Sequence, residues 1–174
     1  PFRKKWIGRV QRSGCGKHGK QLDSMEQSSV PRRYSARSTR SAVTLTLDSS
    51  AAYEVLAENT PRAERLAGLL AGHDFVVPTL FRYELSNVIR RALSQGALTD
   101  HGARLLLTNV LSMPIREFDF EFVLPRAWEL RGSFTFTDAA YIAVAEATGT
   151  AFVTLDERIA RGPAVKCEII IPPS

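Results

Sequence analysis

Four acidic residues stand at the ends of short apolar segments, where folding could bring them together. Asp48 follows VTLTL, Asp156 follows AFVTL, and Asp138 opens the segment DAAYIAVAEAT. Glu84 stands early in LFRYELSNVIRRAL, the segment after FVVP. Carboxylates that converge raise one another's pKa unless a cation compensates, and Mg²⁺ or Mn²⁺ prefers oxygen ligands. The four acids therefore indicate a divalent metal site.

Each of the four acids also has a structural explanation. Asp48 and Asp156 could each cap the helix that follows. Asp138 could be favoured by the dipole at a helix N-terminus, and Glu84 could be an exposed helical carboxylate. Four independent caps have no reason to meet at one place, whereas four ligands do. The position of their side chains decides between these explanations.

The elements that must position these acids alternate between strands and helices. Strands are predicted for VTLTL, FVVP, IREFDF, AFVTLD and CEIII. Helices are predicted over residues 50–58, 61–72, 80–95, 99–111, 122–131 and 138–148, with Pro125 in the first turn of the fifth and Thr137 capping the sixth. This alternation predicts a three-layer α/β/α sandwich with a mostly parallel central sheet. Ligands of such sheets bind outside the carboxyl ends of the strands, where we expect all four acids and also Thr154, two residues before Asp156.

The charge of the chain divides it near residue 41. The 174 residues have a formal net charge of +5. Residues 1–41 hold 11 Lys and Arg against 2 Asp and Glu, a net +9, whereas residues 42–174 hold 12 against 16, a net −4. The basic arm is rich in Gly and Ser and lacks apolar periodicity, so we predict a disordered arm followed by one folded domain over 42–174. Such an arm could contact nucleic acid phosphates or simply be solvated.

Several functional classes find no support in the sequence. No apolar run approaches the ~18 residues that cross a bilayer, and no apolar segment of a secretory signal follows the first basic residues. Cys15 and Cys167 are too few and too scattered for a disulfide framework or a zinc site, so we expect a cytoplasmic location without a membrane partner. Neither G-x-x-x-x-G-K-[ST] nor G-x-S-x-G occurs. Tyr83, Trp128 and Tyr141 recur at helical spacing and predict core or dimer surface.

Three segments together resemble the PIN-domain ribonucleases, specifically the VapC toxins of bacterial toxin–antitoxin pairs. They are LDSSA, PTLFRYELSNVIRR and FTDAAYIAVAEATGTAFVTLDERIA, and the resemblance extends over about residues 43–171. It implies an acidic quartet with an accompanying hydroxyl residue and two polar positions near the pocket, namely Asp48, Glu84, Asp138, Asp156, Thr154, Asn87 and Arg131. The basic arm has no counterpart in the family pattern.

The resemblance implies a Mg²⁺-dependent endoribonuclease that cuts a structured RNA such as tRNA or ribosomal RNA. Asp48 and Asp138 would hold the metal, with Glu84 and Asp156 acting through water or a second ion, and the metal would activate water for in-line attack. A small antitoxin protein would inhibit the enzyme. Because the domain is negatively charged, a homodimer and arginines such as those at 82, 116 and 131 would have to form the positive track for RNA.

Two other functions remain open from the sequence. One is a catalytically silent PIN-like module that binds RNA or assembles with other proteins, with structural acids. The other is a phosphotransfer domain with Asp48 as an aspartyl nucleophile. Against the latter, Ser50 stands where a D-x-D pair would have its second aspartate, and Lys166 is the one lysine of residues 42–174.

Overall fold

The short apolar segments of the sequence form the strands of a five-stranded parallel sheet. The computed structural model describes residues 43–173, so the basic arm predicted over 1–41 lies outside the described residues. The strands are β1 (Thr44–Leu47), β2 (Asp74–Pro78), β3 (Ile115–Phe118), β4 (Ala151–Val153) and β5 (Ile169–Ile170). The helices are α1 (Ser49–Ala57), α2 (Pro61–Leu70), α3 (Phe81–Ser94), α4 (Asp100–Ser112), α5 (Phe120–Leu130), α6 (Phe136–Thr148) and α7 (Glu157–Ala160).

The first strand of the chain is the central strand of the sheet. The strand order is β3-β2-β1-β4-β5, and each neighbouring pair is parallel. β1 therefore has β2 on one side and β4 on the other, with Leu45 opposite Ala151 and Leu47 opposite Val153. From β1 the strand order continues to β2 and β3 on one side and to β4 and β5 on the other. Such a reversal of the strand order opens a crevice at the carboxyl ends of the strands. The crevice lies where Asp48 follows β1.

Helices cover both faces of the sheet, which confirms the predicted α/β/α sandwich. Successive residues of a strand face opposite sides. In β2, Val76 belongs to a small buried cluster with Val123 of α5 and Val144 of α6. Phe75 and Val77 belong to the larger core cluster, which includes residues of α1 and α3.

The helix α6 is the most deeply buried helix among the described residues. Residues 139–145 are all buried, and α6 packs against β1, β2 and β4. Four of those seven residues are alanines, which allow the helix to approach the sheet closely. Gly149 ends the helix in the left-handed conformation with φ 63°, as the sequence predicts. Because α6 begins at the carboxyl edge of the sheet, it brings Asp138 to the crevice.

Two predicted details of the helices are wrong. The helix α5 begins at Phe120, earlier than predicted, so Pro125 lies in its second turn and removes one backbone hydrogen bond. The N-cap of α6 is Thr135 and not Thr137, because Thr135 has the extended backbone that a cap requires and accepts from the Asp138 N–H three residues later. Among residues 43–173, no helix has the length and apolar character needed to cross a membrane.

Candidate active site

Asp48 lies at the carboxyl end of the central strand, and hydroxyl groups hold its carboxylate. Ser50 Oγ donates to Oδ2 at 2.6 Å, Thr154 Oγ1 donates to the same oxygen at 2.7 Å, and Ser49 Oγ lies 3.4 Å from Oδ1. Asp48 occupies the N-cap position of α1, yet its side chain makes no capping hydrogen bond. The capping explanation is therefore wrong for Asp48. Neutral donors orient this carboxylate without cancelling its charge.

Glu84 lies in the first turn of α3 and is half-buried, so the explanation as an exposed helical carboxylate is wrong. The Tyr141 hydroxyl donates to its Oε2 at 2.6 Å. Burial raises the pKa of Glu84 to about 7, the charges of Asp48 and Asp138 add to the rise, and the bond from Tyr141 opposes it. The three carboxylates are thus close enough for their charges to interact, which is the convergence that a cation would relieve.

Asp138 lies in the first turn of α6 and exchanges two hydrogen bonds with the N-cap residue. Thr135 Oγ1 donates to Asp138 Oδ2 at 2.7 Å, and the Asp138 N–H donates back to Thr135 Oγ1 at 3.2 Å. The bond from the Asp138 N–H is an N-cap hydrogen bond, and the helix N-terminus favours the negative charge of the carboxylate. The dipole explanation therefore holds, but Oδ1 receives no hydrogen bond from the described residues. Asp138 can serve the helix and a ligand together.

Asp156 differs from the other three acids because an arginine holds it. Its Oδ1 accepts from the Arg158 N–H at 2.9 Å, and the Arg158 guanidinium binds both oxygens, with Nη2 2.5 Å from Oδ2. These hydrogen bonds from Arg158 lower the pKa of Asp156. The capping explanation is confirmed for Asp156, which caps α7. Its charge is compensated within the chain.

Thr154 connects Asp156 to the other acids. Its side chain is fully buried, its hydroxyl donates to Asp48, and the same oxygen accepts from the Asp156 N–H at 3.1 Å. The structure therefore brings Asp48, Glu84 and Asp138 together as a hydroxyl-held group, with Asp156 beside it as an arginine-held neighbour. None of the three hydroxyl-held acids forms an ion pair with a described residue.

The two predicted substrate-binding residues lie on exposed surface. Asn87 is exposed on α3, one turn after Glu84. Arg131 follows α5, and its guanidinium lies 4.7 Å from the ring centroid of Trp128 and donates to the Trp128 carbonyl at 2.7 Å. Within residues 43–173, neither side chain forms a hydrogen bond with an acid of the site. Their role in substrate binding stays a prediction.

The residue that sequence reasoning missed is Tyr141. Helical spacing with apolar residues predicts core or dimer surface for this tyrosine, and its ring is indeed buried, but its hydroxyl reaches Glu84. The sequence spacing could have indicated that Tyr141 lies near the acids, because Tyr141 follows Asp138 by three residues and so lies on the same helical face. The donor role of Ser50, two residues after Asp48, could also have been inferred from its position.

A divalent cation fits the hydroxyl-held group as an open site. Among residues 43–173, no group of three or more His, Cys, Asp or Glu side chains is arranged to hold a metal ion by itself. Mg²⁺ seldom requires three protein ligands, since it usually takes one or two carboxylates and completes its coordination shell with waters and substrate phosphate. Asp48 and Asp138 are the pair predicted for this purpose, and the charges of both act on the pKa of Glu84.

Comparison with known proteins gives a consistent set of relatives. The family model described as PIN domain matches residues 45–164. Ribonuclease VapC12 of Mycobacterium tuberculosis is 34% identical over 125 residues, which cover 72% of this chain and 96% of the relative. The PIN-domain match includes α6, β4 and the residues Asp48 and Asp138.

Solved structures share the fold. The crystal structure of VapC20 from Mycobacterium tuberculosis, described as a sarcin-ricin loop cleaving toxin, has a TM-score of 0.52 at 17% identity and covers 67% of this chain and 93% of its own. A toxin–antitoxin complex from Klebsiella pneumoniae has a TM-score of 0.52 at 14% identity and covers 75% and 98%. At these identities the structures support the fold.

Proposed function

Because the chain belongs to the PIN-domain family and, within it, to the VapC ribonucleases, we propose that it is a Mg²⁺-dependent endoribonuclease toxin that cuts structured RNA. The observation that carries this proposal is the hydroxyl-held group at the carboxyl edge of the sheet. Its three carboxylates are oriented by Ser, Thr and Tyr hydroxyls and lack an ion-pair partner among the described residues. Such a group retains the charge that a catalytic cation requires.

The residues of the site divide the work between binding and orientation. Asp48 and Asp138 would hold the cation directly, and Glu84 would hold one of its waters. When bound, Mg²⁺ or Mn²⁺ supplies an attacking water of lowered pKa and offsets charge on the phosphodiester. The buried hydroxyl of Thr154 fixes one oxygen of Asp48. Asp156, compensated by Arg158, supports the loop that carries Thr154 and contributes less than the other acids.

The RNA must approach an acidic domain, so exposed arginines are required near the groove. We infer that Arg116 and Arg131 are such residues, because both are exposed and lie over aromatic rings, of Phe118 at 5.1 Å and of Trp128 at 4.7 Å. Arg82 is a weaker candidate than its sequence suggests, since it bonds to Glu117 and to the carbonyls at the end of α4. We propose a structured RNA such as tRNA or ribosomal RNA as the substrate; VapC20, which shares the fold, is described as cleaving the sarcin-ricin loop.

Exposed apolar side chains support protein partners for the toxin. Tyr83 and Leu111 are each 78% exposed, Phe122 is 73% exposed and Trp128 57%. Side chains of this size are expected at interfaces. We propose a cognate antitoxin, as in the complex from Klebsiella pneumoniae, and a homodimer as the partners, and we place the activity in the cytoplasm, where its RNA substrates occur.

Cleavage of labelled total RNA tests this function. The purified chain should produce discrete fragments with Mg²⁺ or Mn²⁺ and none with EDTA, and Asp48→Asn should produce none in either condition. Asp100→Asn is the matched control, because Asp100 is an exposed acid paired with Arg104 in α4. We expect this variant to cut like the wild type.

The same experiment separates the alternatives. RNA that is bound but never cut, at any metal concentration, would favour the catalytically silent module. Undiminished cleavage by Asp48→Asn and Asp138→Asn would rule out the metal site. A phosphorylated Asp48 detected by mass spectrometry after incubation with a phosphodonor would favour the phosphotransfer domain.

A further inference from the structure

The Tyr141 hydroxyl is a buried polar group to which the mechanism above gives no role beyond its contact with Glu84. Tyr141 is 1% exposed, and its ring stacks on Phe152 of β4, with centroids 5.6 Å apart and planes inclined by 4°. A buried tyrosine hydroxyl requires a hydrogen-bond partner. Here the partner is Glu84 Oε2, at 2.6 Å. The Tyr141 hydroxyl therefore contacts one carboxylate oxygen of the hydroxyl-held group.

This hydrogen bond joins α6 to α3 across the candidate site. Asp138 and Tyr141 are three residues apart on α6, so one face of that helix supplies both an acid and a donor. A glutamate has many rotamers and loses considerable entropy when it is ordered, whereas a stacked tyrosine ring has little freedom left to lose. Tyr141 is thus a rigid donor placed against a flexible acceptor.

We propose that Tyr141 is a positioning residue that fixes Glu84 Oε2 and so presents Oε1 to the bound cation or to one of its waters. The inference rests on the proposed function, because the cation belongs to the proposed mechanism. Oε1 receives no hydrogen bond from residues 43–173, which leaves it free for this role. A lysine or arginine could also orient the acid, but its charge would compete with the metal. A phenol orients Glu84 and leaves its charge intact.

The substitution Tyr141→Phe tests the role, because it removes the hydroxyl and keeps the stacked ring. In the full chain without RNA, we expect Mn²⁺ affinity, measured by electron paramagnetic resonance titration, to fall about tenfold. On an RNA that the wild type cuts, kcat should fall by a similar factor while KM stays unchanged. Tyr53→Phe is the matched control: it is the same substitution on α1, at a phenol that lies beside Glu58, an acid outside the candidate site. It should leave Mn²⁺ affinity and kcat at wild-type values.

A double-mutant cycle shows whether Tyr141 acts through Glu84. In a Glu84→Ala chain, adding Tyr141→Phe should cause no further loss of Mn²⁺ affinity. A further tenfold loss would mean that Tyr141 acts by another route, and the proposal would be wrong. If Tyr141→Phe folds poorly by circular dichroism, Glu84→Asp withdraws the carboxylate by one methylene and must weaken Mn²⁺ binding in the same way.

Failure of this inference and failure of the proposed function give different results. If the wild type binds Mn²⁺ and cuts RNA while Tyr141→Phe matches it in both, Tyr141 is a core residue only, and the proposed function stands. If the wild type neither binds Mn²⁺ nor cuts RNA, both the proposed function and the role of Tyr141 are overturned.

Discussion

The two ends of α6 hold their acids in opposite ways. At the N-terminal end, Asp138 and the neighbouring Glu84 accept hydrogen bonds from Thr135 and Tyr141, which are neutral donors. Near the C-terminal end, Glu146 accepts from the Arg126 guanidinium at 2.6 and 3.2 Å. The difference lies in the donor: a hydroxyl brings no positive charge to the carboxylate, whereas a guanidinium does.

The pKa values of two part-buried glutamates show the consequence. Burial raises the pKa of Glu84 to about 7, and the hydroxyl of Tyr141 cannot reverse the effect. Burial also acts to raise the pKa of Glu146, but the hydrogen bonds from Arg126 and the Lys166 N–H and the charges of both residues together outweigh it, and the pKa is lowered. The type of donor, acting together with the degree of burial, therefore separates a hydroxyl-held acid of raised pKa from an arginine-held acid of lowered pKa.

The largest expected effect is on the rate of RNA cleavage. Substitutions at the two ends of α6 test it. Asp138→Asn should lower cleavage about 100-fold or more, since loss of a metal ligand removes several kcal/mol of transition-state stabilisation. Glu146→Gln should leave kcat within about threefold of wild type at temperatures where the chain is folded. Both rates come from single-turnover cleavage of a labelled RNA. Equal losses of cleavage rate in the two variants would show that the acids at the two ends of α6 do not differ in their role.

The free energy of unfolding should respond in the opposite order, with the larger loss at the arginine-held acid and the smaller at the hydroxyl-held group. Arg126 also donates to Glu129 at 2.8 Å and to the Ala164 carbonyl at 2.6 Å, so it joins α5, α6 and the segment before β5. Arg126→Ala should lower the free energy of unfolding by about 2 kcal/mol, or the thermal midpoint by roughly 4–8 °C, because a part-buried carboxylate loses its partner.

The matched variant for stability is Glu84→Gln, which should change the thermal midpoint little or raise it in metal-free buffer. This substitution removes a carboxylate whose ionised form is disfavoured. Urea or thermal unfolding followed by circular dichroism measures both variants. A larger loss in Glu84→Gln than in Arg126→Ala would contradict the assignment of structural and chemical acids.

The pH dependence of stability should also differ in sign between the two glutamates. The pKa of Glu84 rises from an ordinary 4.5 to about 7, so between these values the folded chain binds more protons than the unfolded chain. The Glu84 contribution to the free energy of unfolding therefore falls as pH rises through this window. The lowered pKa of Glu146 contributes stability above its ordinary value, and this is lost as pH falls.

Urea titrations in EDTA between roughly pH 5 and pH 8 isolate the contribution of Glu84. The wild-type chain should be more stable relative to Glu84→Gln at the acid end than at the alkaline end, and added Mg²⁺ should reduce the deficit at the alkaline end. A difference between the two chains that does not change with pH would show that Glu84 titrates normally.

The smallest effect concerns the backbone beside Arg126. Ala164, whose carbonyl accepts from that arginine, has φ 66°, a conformation that costs a residue with a Cβ about 1–2 kcal/mol. Ala164→Gly should relieve this strain and raise the free energy of unfolding by up to about 1 kcal/mol, with no change in cleavage. Denaturant midpoints at constant slope provide the measurement. A decrease would mean that the strain at Ala164 costs less than the extra conformational freedom of glycine in the unfolded chain.

The sequence predicted those parts of the molecule that depend on local patterns. Alternating apolar residues located the strands, and the parallel sheet followed from the alternation of strands and helices. The rule for the carboxyl edge then placed Asp48 and Asp138 correctly. The cap of α6 was predicted at Thr137, although the spacing of Thr135 to Asp138 is that of a capping box.

The partners of the acids could not be predicted, because they come from distant parts of the chain. The bond from Tyr141 to Glu84 spans 57 residues, and the pair of Arg126 with Glu146 spans 20. Charge type and spacing along a segment do not reveal such contacts. Arg158, by contrast, is only two residues from Asp156, so the arginine-held acid had a local signal in the sequence.

The central position of β1 has a consequence for synthesis on the ribosome. The strand that carries Asp48 is made first, yet the hydroxyl of Thr154 that fixes this carboxylate lies 106 residues later. At ~5–20 residues per second, roughly 5–20 s separate the two ends of that contact. The acids therefore meet only after β4 and Thr154 have been made, and a truncated product that ends before β4 contains Asp48 without the hydroxyl that fixes it.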